Sequence, residues 1–231
     1  MKIPLNPEPR IVGCITTEEL LRQCAQKLPP DCDILEVRLD LTGPCKDWID
    51  LCAAIQRRGC PVLLTIRDEG QGGQWRGREA ERLALYLSGL KSISAVDIEI
   101  GARALEVLIA EAHQHDITVV ASFHDFNGTP DLPQLTALEA RGRKMGADVV
   151  KIATLVHAPG ELARLFALPA QATGPVCVMG MGAPGAISRV ALPCAGACWV
   201  YGALEKPVVP GQLSCRVLAE ELDRWGVRRR K

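Results

Sequence analysis

Residues 147–153, ADVVKIA, place one lysine, Lys151, in a run that otherwise has the apolar, β-branched content of a buried strand. A primary amine held out of water is a nucleophile in its neutral form, and with a ketone or aldehyde it condenses to an imine. The imine draws electrons from the neighbouring carbon and makes a proton there removable. His124, directly after the run ITVVASF, is the natural group to take that proton and pass it to a departing hydroxyl. Further charges sit in other strand-like runs: Glu36, Arg38 and Asp40 in ILEVRLD, Arg67 ending PVLLTIR, Asp97 and Glu99 in AVDIEI. A spacing of two puts each set on one face of its strand. Beside the cations Arg38 and Arg67, the buried lysine is expected to favour its uncharged form, through desolvation and like charge together.

Positioning these groups requires a frame that brings several strand ends together. Eight runs rich in β-branched residues recur along the chain: RIVGCI, DILEVRL, PVLLTIR, AVDIEI, ITVVASF, ADVVKIA, GPVCVMG and ACWVYGA. Segments of helical period separate them, such as TEELLRQCAQKL, ARALEVLIAEAHQH and GQLSCRVLAEEL. Thr129-Pro130 reads as a helix N-cap with proline at the first helical position, and Gly59 as a stop after the second helix. Alternating strands and helices imply parallel pairing, and eight units in 231 residues fit one closed (β/α)8 barrel spanning 1–231; an open doubly wound sheet is the runner-up. Each charge is expected in the C-terminal half of its strand, so all converge at the mouth where barrels build active sites. A set of structural ion pairs is the competing reading. It is weaker for the whole group, because apolar replacements of buried pairs are often neutral or stabilising.

Composition narrows the partner. The 27 basic and 27 acidic residues cancel, leaving no net field to attract nucleic acid or an anionic membrane, so a small molecule is expected. The ten cysteines form no CxxC pair and no zinc spacing, and no run has signal-peptide or membrane-spanning character, which suggests a reducing cytoplasm. The terminal RRRK is read as a solvated tail. A metal held by Glu36, Asp40, His124 and Asp125 is disfavoured by the adjacent cations, and neither metal nor cofactor is expected. GMGAPG in VCVMGMGAPGAISR matches the dinucleotide pattern GxGxxG, but it lies in the seventh unit; a turn exposing backbone N–H groups and aiming Arg189 at a carboxylate is preferred. RDEGQGGQWRG after the third strand reads as a flexible cover, and Gln212 in VVPGQLS can close the site from the other side. His113, His115 and His157 are taken as surface residues.

Taken in order, ILEVRLD, LLTIR, VVASFHDFNGTP, GADVVKIA, VMGMGAPGAISR and PGQ resemble type I 3-dehydroquinate dehydratase over almost the whole chain. The resemblance implies a (β/α)8 barrel, commonly a homodimer, without cofactor or metal, that dehydrates 3-dehydroquinate to 3-dehydroshikimate. It makes Lys151 the imine-forming residue and His124 the general acid and base. Arg189 and Gln212 would hold the substrate carboxylate; Glu36, Arg38 and Arg67 would surround the ring hydroxyls and the imine; Met179 and Met181 would pack on the ring. Three positions depart from the family. Gln71 stands where a glutamate usually orients the histidine, with Glu69 nearby as a substitute, while Val208 and Gly13 stand where serines would each offer the site a hydroxyl. Other readings are a different Schiff-base lyase or aldolase acting on a related hydroxy-keto acid, and a weakened relative that binds a shikimate-like ligand.

Overall fold

The computed structural model describes residues 3, 5 and 8–228. The eight apolar runs form parallel strands: β1 (Arg10–Ile15), β2 (Ile34–Arg38), β3 (Val62–Thr65), β4 (Ala95–Glu99), β5 (Thr118–Asp125), β6 (Val149–Leu155), β7 (Val176–Met181) and β8 (Trp199–Ala203). They pair in sequence order from β1 to β7, and β8 pairs with β1. At the remaining seam the Cys198 N–H donates to the Val176 carbonyl, 2.9 Å being the usual length for such a bond and 2.8 Å the value here. The result is a nearly closed (β/α)8 barrel, as the alternation of patterns predicts.

Helices α1 (Glu18–Gln26), α2 (Leu39–Thr42), α3 (Trp48–Arg57), α4 (Glu79–Gly89), α5 (Leu105–Gln114), α6 (Leu132–Lys144), α7 (Pro159–Gln171), α8 (Ser188–Cys194) and α9 (Cys215–Arg224) cover the outside. Thr17 caps α1 through its side chain, and Gly59 follows α3 with a φ of +91°, a conformation glycine adopts without steric cost. Three details differ from the sequence reading. The cap of α6 is Asp131, whose carboxylate accepts from the Gln134 N–H at 2.9 Å; Thr129 instead donates to the Leu155 carbonyl at 2.8 Å and lies beside Thr154. Asp40 belongs to α2, because the chain turns helical directly after Arg38. The helix expected over GQLSCRVLAEEL starts only at Cys215, capped by Ser214. Of RRRK, residues 229–231 lie outside the described residues, and Arg228 pairs with Asp33 at 3.1 Å.

The period of two builds the interior in layers. Val12, Ile34, Leu63, Ala95, Val120, Val149 and Trp199 form a buried apolar floor. One pleat further, about 6.6 Å along each strand, stand Cys14, Glu36, Thr65, Asp97, Ser122, Lys151 and Tyr201. The third layer holds Arg38, Arg67, Glu99, His124 and Ala153. Lys151 is therefore the third of seven residues in β6, and the expectation that every charge lies in the C-terminal half of its strand fails for it. The amine sits one layer deeper than the histidine.

Candidate active site

At the C-terminal mouth of the barrel a pocket is lined by Lys151, His124, Glu36, Arg38, Arg67 and Gln71. Met179, Met181, Arg189 and Gln212 line the same cavity, whereas Asp40, Asp97, Glu99 and Gly13 do not.

Lys151 is 5% exposed. Its Nζ lies 2.9 Å from Asp97 Oδ2, 4.0 Å from Glu36 Oε1 and 3.8 Å from the centre of the Tyr201 ring. This corrects the expectation of cationic surroundings: its direct charged partners are two carboxylates, and Arg67 meets it through their shared neighbour, Asp97. Arg67 Nη2 bonds Asp97 Oδ1 at 2.6 Å, and Arg67 Nη1 bonds Glu99 at 3.0 Å and Ser122 Oγ at 2.6 Å. Thr65 donates to Glu36 at 2.7 Å. Burial works to raise the Asp97 carboxyl, but Arg67 and Lys151 overcome it and hold that group well below the usual carboxylate range.

Helix α4 fixes this cluster from outside the barrel. Arg82 Nη1 reaches Glu99 at 2.7 Å, while Tyr86 Oη donates to the Asp97 carbonyl at 2.7 Å and accepts from the Ile66 N–H at 2.9 Å. Arg67→Met would leave Asp97 and Glu99 buried with too little positive charge, so we expect a loss of about 3–5 kcal/mol of stability. Urea denaturation of the variant measures it; a midpoint within error of the parent would contradict this view of the cluster.

His124 is held by the loop after β3. The His124 N–H donates to Gln71 Oε1 at 2.9 Å, which fixes the orientation of the amide, and Nδ1 lies 3.3 Å from the same oxygen. Since that oxygen only accepts, Nδ1 carries the proton in this contact and Nε2 keeps its lone pair. Burial, then the charges of Arg67 and Lys151, push the histidine well below its ordinary value of 6.5. The ring stays a free base into acid solution. Glu69 does not take the place of Gln71: it is exposed and pairs with Arg76 at 2.8 Å. Gln71→Glu is expected to raise the histidine's pKa through the added negative charge, moving the acid limb of kcat/KM upward in pH. An unmoved limb in a pH–rate profile would rule out His124 as the group that titrates.

The loop forms a compact turn over the mouth. A Cβ at Gly72, where φ is +77°, would lie 2.3 Å from the ring of Phe126, so loop and ring pack at closest approach. Arg38 makes a two-pronged pair with Asp40 at 2.9 and 2.7 Å, and Asp40 accepts from the loop's Gln74 N–H at 3.1 Å.

Arg189 differs from the other cations of the site. Arg38, Arg67, Arg82 and Lys151 each have a carboxylate within 3.0 Å. Arg189, 1% exposed, has only the Tyr201 carbonyl at 3.2 Å and Met179 Sδ at 3.7 Å, and its Nε and Nη2 have no partner among the described residues. Burial lowers it to about 10, still charged at neutral pH. A buried guanidinium with two unused donors is suited to an anionic ligand.

The GMGAPG turn positions it. Gly180 and Gly185 touch, since a Cβ on Gly180 would meet Gly185 Cα at 2.9 Å. The expectation that the turn exposes its N–H groups is corrected: Gly180 N donates to Ser188 Oγ, Gly182 N to the Pro210 carbonyl and Gly185 N to the Gly182 carbonyl. Nearby, Gln212 Oε1 accepts from the Val208 N–H at 2.6 Å, and Nε2 faces Cys14 Sγ at 3.6 Å. Cys14, rather than Gly13, is what β1 contributes to the cavity. A Cβ on Gly13 would meet Leu204 and Cys32 on the outer face, so glycine there removes nothing from the site. Val208 does line the pocket. Sequence reasoning overlooked Cys14, Phe126 and Tyr201; inward alternation with Val12 and with Trp199 is the signal for the first and last.

The Type I 3-dehydroquinase family pattern matches residues 11–227. Over 221 residues the chain is 30% identical to the 3-dehydroquinate dehydratase of Methanocella arvoryzae, covering 95% of this chain and 98% of that protein. The corresponding protein of Enterococcus faecalis is 32% identical over 231 residues, with 93% and 91% covered. A crystal structure of 3-dehydroquinate dehydratase from Geobacillus kaustophilus superimposes with a TM-score of 0.85 at 26% identity, over 94% of this chain and 92% of that one. With eight parallel strands, a lysine and a histidine facing one pocket, and these similarities along nearly its full length, the chain belongs to the type I 3-dehydroquinase family.

Proposed function

We propose that this chain is a hydro-lyase that converts 3-dehydroquinate to 3-dehydroshikimate through an imine on Lys151, a step of the shikimate route to aromatic amino acids. The observation that carries this reading is one pocket holding three matched parts: a buried amine, a histidine with a free Nε2, and an arginine with unused donors. Arg189 and the Gln212 amide bind the substrate carboxylate, which supplies the anion that the guanidinium lacks. Glu36, Arg38 and Arg67 surround the ring hydroxyls and the imine, Met179 and Met181 pack on the ring, and Gln71 orients His124.

The Lys151 nitrogen attacks the ketone carbon through its lone pair, and the adduct takes up one proton and loses one water, leaving an iminium whose nitrogen keeps one hydrogen and bears the positive charge. His124 takes the proton from the adjacent carbon, and the freed electron pair gives a neutral enamine. That pair then expels the hydroxyl from the carbon bearing the carboxylate. The departing oxygen receives the proton held by His124 and leaves as water. Hydrolysis of the conjugated iminium releases the enone and restores the lysine. Purified protein mixed with 3-dehydroquinate should show enone absorbance growing over many turnovers; none above a protein-free control would reject the assignment.

The reading extends to a homodimer, as the family resemblance implies, and to a reducing cytoplasm, which suits ten cysteines that are all free. Among the described residues no helix is long and apolar enough to cross a membrane. Sedimentation velocity at twice the chain mass is expected, and a single monomer boundary at working concentration would remove the dimer.

A further inference from the structure

Tyr201 points into the second interior layer from β8 and lines the pocket at 4% exposure. Lys151 Nζ sits over its ring, 3.8 Å from the centre. Its hydroxyl is buried and has no hydrogen-bond partner among the described residues. Leaving such a group unpaired is costly, and phenylalanine would fill the same space without that cost. The hydroxyl is therefore explained by a ligand better than by packing. Burial first, then the negative charges of Asp97 and Glu36, hold the phenol proton in place, so in this site the group is a donor.

Geometry assigns the donor a target. Nζ lies 3.8 Å from the centre of the ring that carries the hydroxyl, which brings an oxygen on the carbon bonded to Nζ within reach of that donor. We propose that Tyr201 is a further catalytic residue: its ring face holds the positive charge of the iminium on Lys151, and its hydroxyl donates to the oxygen leaving the attacked carbon as the imine forms. Both effects act on charge that develops during the reaction, where a fixed donor and a fixed aromatic face need no reorganisation. The tyrosine transfers no proton: the oxygen leaves as water, carrying one hydrogen given up by the amine nitrogen and one proton taken from solvent. It hydrogen-bonds an oxygen that gains electron density as the C–N bond forms and the C–O bond breaks.

This inference rests on the imine proposed above, and rapid quenching with sodium borohydride separates the two. Borohydride delivers hydride to the iminium carbon and fixes the adduct on Lys151 for mass spectrometry. If the unmodified protein gives no adduct with 3-dehydroquinate, the imine itself is wrong and the role of Tyr201 falls with it. Given that adduct, Tyr201→Phe, which keeps the ring, should slow its formation about 10-fold, the loss of one hydrogen bond to developing charge. A fluorinated phenylalanine at the same position keeps the shape but removes the negative ring face, and should slow formation about threefold to tenfold more. Adduct formation at the parent rate in Tyr201→Phe overturns the hydroxyl's role while leaving the imine standing. Equal rates for the two phenylalanine variants overturn the role of the ring.

Discussion

Lys151→Ala is expected to lower kcat for 3-dehydroquinate dehydration by about 10⁴-fold or more, because it deletes the nucleophile on which every later step depends. Among the described residues no other amine lines the pocket: Nζ is directed by Asp97 at 2.9 Å and by the Tyr201 ring beneath it, and the remaining cations of the lining are arginines. An alanine also leaves Asp97 with Arg67 as its remaining strong partner, so some loss of stability should accompany the loss of rate. Thermal denaturation run beside the enone assay separates these effects. A folded variant that keeps more than about a hundredth of the parent rate would contradict covalent catalysis at this residue.

His124→Ala should cost about 10²–10⁴-fold in kcat, the range for removing a positioned general base. Its signature differs from that of the lysine variant. The amine is intact, so the imine still forms, but the adjacent carbon keeps its proton and the adduct accumulates. Borohydride treatment should therefore trap substrate-derived adduct, not the product-derived form, on Lys151. Failure of the variant to form any adduct would move His124 into imine formation itself. Retention of the parent's kcat would remove it from the reaction.

Much of this arrangement was legible in the sequence because strand alternation is simple. Counting two from Glu36 gives Arg38 and counting two from Asp97 gives Glu99, and these pairs do share the interior face. The count breaks at Asp40, where the chain turns helical. What the sequence conceals is which charges become partners. Sequence alone sets Lys151 near Arg38 and Arg67, yet its contact is Asp97 on β4, two strands away, a relation that depends on strand tilt and stagger. Arg82 was invisible as part of the site because a cation on an amphipathic helix ordinarily faces solvent; here it turns inward to Glu99. Tyr201 was hidden for the opposite reason, since an aromatic residue in an apolar strand resembles core. Gly13 shows the cost of a one-residue error: its neighbour Cys14 faces the cavity, while Gly13 faces the outer layer.

Covalent catalysis at Lys151 is tested by digestion and mass mapping of the parent protein after borohydride quenching during turnover of 3-dehydroquinate. A single modified residue is expected, Lys151, carrying the mass of the reduced six-membered-ring ligand. Enone production at full rate with Lys151 unmodified, or with the label on a different lysine, would contradict it.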